Sequence, residues 1–111
     1  MYFYFNDLKR ADEAAGKSVH PFVQNAISFY ENHPLFELMK RLDEHNLAVT
    51  DKKHFIKYSI NDEDIINLKG RDTVERTDNG HYRVMRWEEH IMTVSEDEFI
   101  PKVLEHYAKK A

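Results

Sequence analysis

Residues 73–87 read TVERTDNGHYRVMRW, and no other stretch of the chain constrains the fold as strongly. Asn79-Gly80 is flanked on both sides by β-branched and aromatic residues. A two-residue type I′ turn needs positive φ at both central positions, and Asn-Gly meets that need with least strain, so a β-hairpin with Asn79-Gly80 as its loop is predicted. In that register Thr77 faces Tyr82, Arg76 faces Arg83 and Val74 faces Met85. Val74, Met85 and Trp87 then share a face, and the area an indole must hide argues for turning that face inward. Arg76, Arg83 and Arg86 reach solvent, although facing arginines repel slightly. Strict alternation places Arg83 with Met85 and Trp87. A site near the sheet edge reconciles this, the stem covering apolar surface while the head stays wet. The following HIMTV is a further strand, reached by a turn or bulge at Glu88-Glu89.

Helical signals surround this hairpin. MYFYF at residues 1–5 is dense in strand formers and reads as an N-terminal strand, with Phe3 and Phe5 opposite Tyr2 and Tyr4. A short helix follows, capped by Asn6 and stopped at Gly16. Two helices over 21–31 and 34–45 each open with proline, whose missing N–H has no partner in a first turn. Phe22, Val23, Ala26, Ile27 and Tyr30 form the apolar stripe of the first, and Leu35, Leu38, Met39 and Leu42 that of the second. Ile56, Tyr58 and Ile60 alternate as in a strand. NDEDIINLKG reads as a helix over 62–69, with Asn61 as cap and Gly70 as stop. Ser95 and Glu98 have capping-box spacing before a last helix that Pro101 either kinks or delays. The predicted order is β-α-α-α-β-α-β-β-β-α over one domain, 1–111. It is an α+β fold with an antiparallel sheet of four or five short strands and helices mainly on one face.

Size and charge narrow the function. A chain of 111 residues supports one core. No apolar run approaches the ~18 residues of a membrane span, and the basic residues follow MYFYF instead of preceding it, unlike a signal peptide; a cytoplasmic location is the expectation. With no cysteine, thiolate metal sites, disulfides and thiol catalysis are excluded. A formal net charge of −4, without a basic half, supplies no field to draw nucleic acid phosphate.

The residue types offer little chemistry. Glycines at 16, 70 and 80 fit no phosphate-cradling frame, and no GxSxG or HExxH occurs. His81, Glu88 and His90 are the nearest approach to a metal-ligand set, and a metal-dependent hydrolase is one alternative. His20 and His33 each precede a helix-opening proline, which explains them structurally. A winged-helix DNA-binding protein is the other alternative, with helices at 21–31, 34–45 and 62–69 and Arg71, Arg76, Arg83 and Arg86 along a wing. Asp62, Glu63 and Asp64 oppose it, because they would meet phosphate and base edges. The favoured reading is an interaction or regulatory module without catalysis or cofactor. Its partner is another protein, a homodimer being compatible. Arg76, Arg83, Arg86, Trp87, Glu88, Glu89 and His90 form the candidate surface, because interfaces concentrate aromatic and arginine side chains.

Overall fold

The computed structural model describes residues 2–60, 65–68 and 71–110. Among them are helices α1 (Tyr2–Ala14), α2 (Pro21–Glu31) and α3 (Phe36–Ala48), then strands β1 (Tyr58–Ile60), β2 (Ile65–Leu68), β3 (Asp72–Arg76), β4 (Tyr82–Arg86) and β5 (Glu89–Val94), and finally helix α4 (Glu96–Lys110). The five strands form an antiparallel meander in sequence order, with the helices on one face. The α+β class and the one-sided layering agree with the sequence reading.

Strand alternation builds the main core. Ile66, Leu68, Val74, Tyr82, Val84 and Val94 point to one side of the sheet and are buried. Leu35, Leu38, Met39 and Leu42 meet them from α3 and the turn before it, and Phe99 and Val103 meet them from α4. The four apolar residues of 35–42 therefore serve as predicted. α4 runs unbroken through Pro101. The carbonyl deprived of its donor belongs to Asp97, whose side chain is on the solvent side, bound to Arg41 at 2.8 Å. Ser95 Oγ donates to Glu98 at 3.0 Å, closing the start of α4 side chain to side chain.

The hairpin corrects the predicted register. Thr77 N–H bonds to the His81 carbonyl at 2.8 Å, and Gly80 N–H to the Thr77 carbonyl at 3.1 Å. Gly80, with φ +77°, is the only left-handed residue of this loop. The connection is thus three residues, a type I turn closed by a left-handed glycine, in place of a two-residue type I′ turn. Val74 faces Val84, Glu75 faces Arg83 and Thr73 faces Met85. A slip of one residue exchanges faces, so Met85 lies on the outer side. Arg83 is no edge residue either: β4 is an interior strand, and Arg83 pairs with Glu75 at 2.9 Å. The expected Arg76–Arg83 repulsion does not arise.

Two further expectations fail. The segment 65–68 is a strand, not a helix. Its burial alternates, with Ile66 and Leu68 inward, and β1 and β3 pair on either side. Branched side chains with period two prevail over the helical reading of the same three apolar residues. Asn61, Asp62, Glu63, Asp64 and Gly70 lie outside the described residues. MYFYF, described from Tyr2, is the start of α1, and Asn6 lies inside that helix. Tyr2, Phe5 and Leu8, three apart, face Val23 and Ile27 of α2, so packing overrides local strand preference. The helix ends as predicted: Gly16 has φ +71°, Lys17 N–H bonds to Asp12 O at 2.8 Å, and Gly16 N–H bonds to Glu13 O at 3.1 Å.

α1 and α2 form a hairpin with its own small core of Phe5, Val23 and Ile27, and Tyr30 touches both cores. Tyr2 joins the hairpin to the body edge-on to Phe36, 4.8 Å between ring centroids. The extents of 50 × 32 × 22 Å reflect this appendage, as does a radius of gyration of 15.7 Å against ~13 Å for a sphere-like chain of this length.

Two phenols, Tyr82 buried and Tyr58 half-buried, tie the layers together. Tyr58 donates to Asp43 of α3 at 2.6 Å, and Tyr82 donates to Glu96 of α4 at 3.2 Å. Burial, reinforced by the neighbouring carboxylates, pushes Tyr82 up to about 12 and raises Tyr58 further. The folded state holds these protons more tightly than the unfolded chain, whose phenols ionise near ~10. The contribution is therefore intact below ~10 and is lost as pH rises towards ~12. Denaturant unfolding at about pH 9 and about pH 11 should show a clear loss of stability at the higher pH. Equal stability at both would contradict the shielding of these hydroxyls beside Asp43 and Glu96.

Candidate interaction site

The β3–β4 register brings Asp72, the first residue of β3, opposite Arg86, the last of β4. Asp72 is fully buried. A carboxylate removed from water needs charged partners. Arg86 Nε meets one of its oxygens at 3.0 Å, and His106 Nε2 of α4 stands 3.5 Å from the other, an ion pair when the imidazole is protonated. Arg86 spans from this buried carboxylate to the surface, where more than a third of its side chain is exposed.

The backbone is strained on either side of this pair. β4 turns into β5 through Trp87-Glu88 alone, with Arg86 facing Glu89. Trp87 takes φ +58°, a position that glycine normally fills when a two-residue turn needs it. Arg71, just before β3, takes φ +78°. These two are the only non-glycine residues in the left-handed region among the described residues, and they touch: the guanidinium carbon of Arg71 lies 5.5 Å from the indole centroid. Each such residue costs on the order of 1–3 kcal/mol, offset by the surrounding structure. The indole is nevertheless 72% exposed. Beside it opens a concavity of about 620 Å³ lined by Arg71, Arg86, Trp87, Glu88 and Glu89.

The structure thus unites Arg86, Trp87, Glu88 and Glu89 from the sequence-predicted surface. His90 follows in β5, but its ring is bonded to Thr93 Oγ1 at 2.7 Å. Arg83 is engaged with Glu75 on the outer face, and Arg76 faces Tyr82 at the opposite end of the hairpin. Trp87 is the largest correction. Predicted inside the sheet, it stands outside, because the strand ends at Arg86 and the turn begins with the indole. Arg71, Asp72 and His106 complete the site without having been singled out as its members. Asp72 carries one readable signal, an acid at the alternate position to Val74; His106 carries none.

The residues on which the two alternatives rested are not brought together among the described residues. His81 precedes β4 and Glu88 follows it, so the length of the strand, about 17 Å at ~3.3 Å per residue, separates them. Among the described residues no three His, Asp or Glu side chains are grouped to hold a metal ion. The segment offered as a DNA-recognition helix is interior strand β2 at 65–68, and the four arginines of the supposed wing do not share a surface. No described helix is long and apolar enough to cross a membrane. No family model, curated protein or solved structure matches this chain.

Two substitutions separate support from display. Trp87→Gly removes the strain at φ +58° together with an exposed cation–π contact of about 0.5–1 kcal/mol. Its stability should be unchanged or higher by up to about 1 kcal/mol. Asp72→Ala should cost about 2–3 kcal/mol, less than the ~3–5 of a fully enclosed pair because Arg86 can turn towards water. Urea denaturation of both variants measures this. A Trp87→Gly protein weakened by about 3 kcal/mol would return the indole to the core.

Proposed function

We propose that this chain is a protein-interaction module, regulatory in character and without a catalytic or cofactor role, whose partner grips Trp87. The observation that carries the reading is the exposed indole held on a strained turn. Strain that stabilises nothing in the fold points to a role outside it. Tryptophan is also among the residues enriched at interface hot spots. Arg71 keeps its face ordered in the free protein, which lowers the entropic cost of docking. Glu88 and Glu89 beside Arg71 and Arg86 supply charges of both signs for a polar rim.

The experiment uses the protein's single tryptophan. A partner captured from the native host is purified and titrated against the wild type, Trp87→Gly and Arg83→Ala. The wild type and Arg83→Ala should bind alike, with tryptophan emission moving to shorter wavelength, and Trp87→Gly should bind at least about tenfold more weakly, a loss of about 1.4 kcal/mol or more. Equal binding by Trp87→Gly, with unchanged wild-type emission, would refute the proposal.

A further inference from the structure

The opposite edge of the sheet carries a second surface, independent of Trp87. β1 is the terminal strand of the sheet, and among the described residues it pairs with β2 alone. The other edge strand, β5, starts with Glu89 and His90 and is distorted by a register shift opposite Val84/Met85; charges and bulges are the usual guards against added strands. β1 is Tyr58-Ser59-Ile60, regular and uncharged. The free edge is delimited on its N-terminal side. Asn46 of α3 uses its amide to bond both the N–H and the C=O of Ile56, each at 2.9 Å, occupying the backbone there as a neighbouring strand would.

Beside this edge lies a groove of about 560 Å³ between the α1–α2 hairpin, the end of α3 and β1. Four large apolar side chains that line it are exposed: Tyr4 57%, Phe29 43%, Leu47 79% and Phe55 49%. Apart from Trp87, only Phe22 is comparably exposed elsewhere among the described residues. Such clustering of apolar surface marks binding grooves. Lys57 lines the groove, where the one acid, Asp43, accepts from Tyr58, and Lys52 and Lys53 are exposed on the turn leading to Phe55; among the described residues none of the three ammonium groups lies within 4.0 Å of a carboxylate. These lysines favour an acidic occupant and repel a basic one.

We infer that the β1 edge and its apolar groove take an extended segment of another protein, with apolar and acidic residues alternating, as a sixth strand. Main-chain pairing with 58–60 supplies the register, alternate apolar residues fill the groove between Phe29, Leu47 and Phe55, and the acidic residues meet Lys52, Lys53 and Lys57. The segment is short, because β1 offers only three residues.

The probe is a labelled synthetic heptapeptide, Asp-Val-Glu-Ile-Asp-Val-Glu with blocked ends, followed by fluorescence anisotropy. Its controls are the same peptide with lysine for every acid, and one methylated on alternate backbone amides. The acidic peptide should bind saturably and at least about tenfold more tightly than either control, with the preference weakening in salt. Leu47→Asp and the triple variant Lys52→Glu, Lys53→Glu, Lys57→Glu change exposed side chains only, and both should lose that binding. Trp87→Gly should bind the peptide like the wild type, which separates this surface from the proposed Trp87 interface. Backbone amide exchange at 58–60 should slow in the complex. The inference is overturned by absence of saturable binding, by equal affinity for the lysine peptide, or by indifference to backbone methylation. A wild-type dimer that dissociates on Leu47→Asp would also overturn it, because a second copy would then occupy the groove.

Discussion

One residue of register between β3 and β4 decides what this molecule buries and what it displays. The left-handed glycine of a three-residue loop places Val74 against Val84 on the helix-covered face. It sets Glu75 against Arg83 on the open face and Asp72 against Arg86 at the far end. A shift by one would carry Met85 and Arg83 inward and strip Asp72 of its cross-strand cation. The buried carboxylate is consequently as much a determinant of register as the valines. A buried ion pair adds little net stability, yet breaking it is costly, so it disfavours the slipped pairing more than it favours the native one.

The same register ends β4 at Arg86 and obliges the chain to reverse at Trp87. A glycine would make this turn without strain. The chain has an arginine and a tryptophan in left-handed conformations instead, each partly supported by the other. The core of α3, α4 and the inner sheet face offsets that cost. The α1–α2 hairpin has only a small core of its own and leans on the body through Tyr2, Tyr30 and Phe36. It walls a groove while leaving four large apolar side chains exposed there. The two ends of the sheet thus differ in kind: one presents a single indole among charges, the other a free strand edge beside an apolar channel.

Elements whose pattern permits one solution were legible in the sequence. Leu35, Leu38, Met39 and Leu42 repeat at helical spacing and no other, and they are buried in α3 and the turn before it. Gly16 was read as a helix stop, and it ends α1 with φ +71°. Failures arose where a pattern has two solutions. Ile65, Ile66 and Leu68 fit a helix turn or a strand, and the pairing of β1 and β3 decided it. Tyr2 and Phe5 satisfy a strand's composition and a helix's spacing, and α2 supplied the surface that favours the helix. Asn79-Gly80 suits both two- and three-residue loops, and the choice rests on long-range terms: burial of Val84 and the pairing of Asp72 with Arg86. Trp87 followed the register error outward. Arg86, Trp87, Glu88 and Glu89 were nonetheless named as candidate interaction residues from their composition, although the indole was expected inside, whereas the contribution of His106, twenty residues beyond Arg86, required the fold.

The register is therefore the claim on which the rest stands, and nuclear Overhauser contacts between α-protons of facing, non-hydrogen-bonded residues measure it directly. The Thr77–His81 bond at the loop fixes which pairs these are. Strong cross-peaks should link Val74 to Val84 and Arg76 to Tyr82. Cross-peaks linking Glu75 to Val84 and Thr77 to Tyr82 would contradict the account, returning the hairpin to a two-residue loop and Trp87 to the inner face.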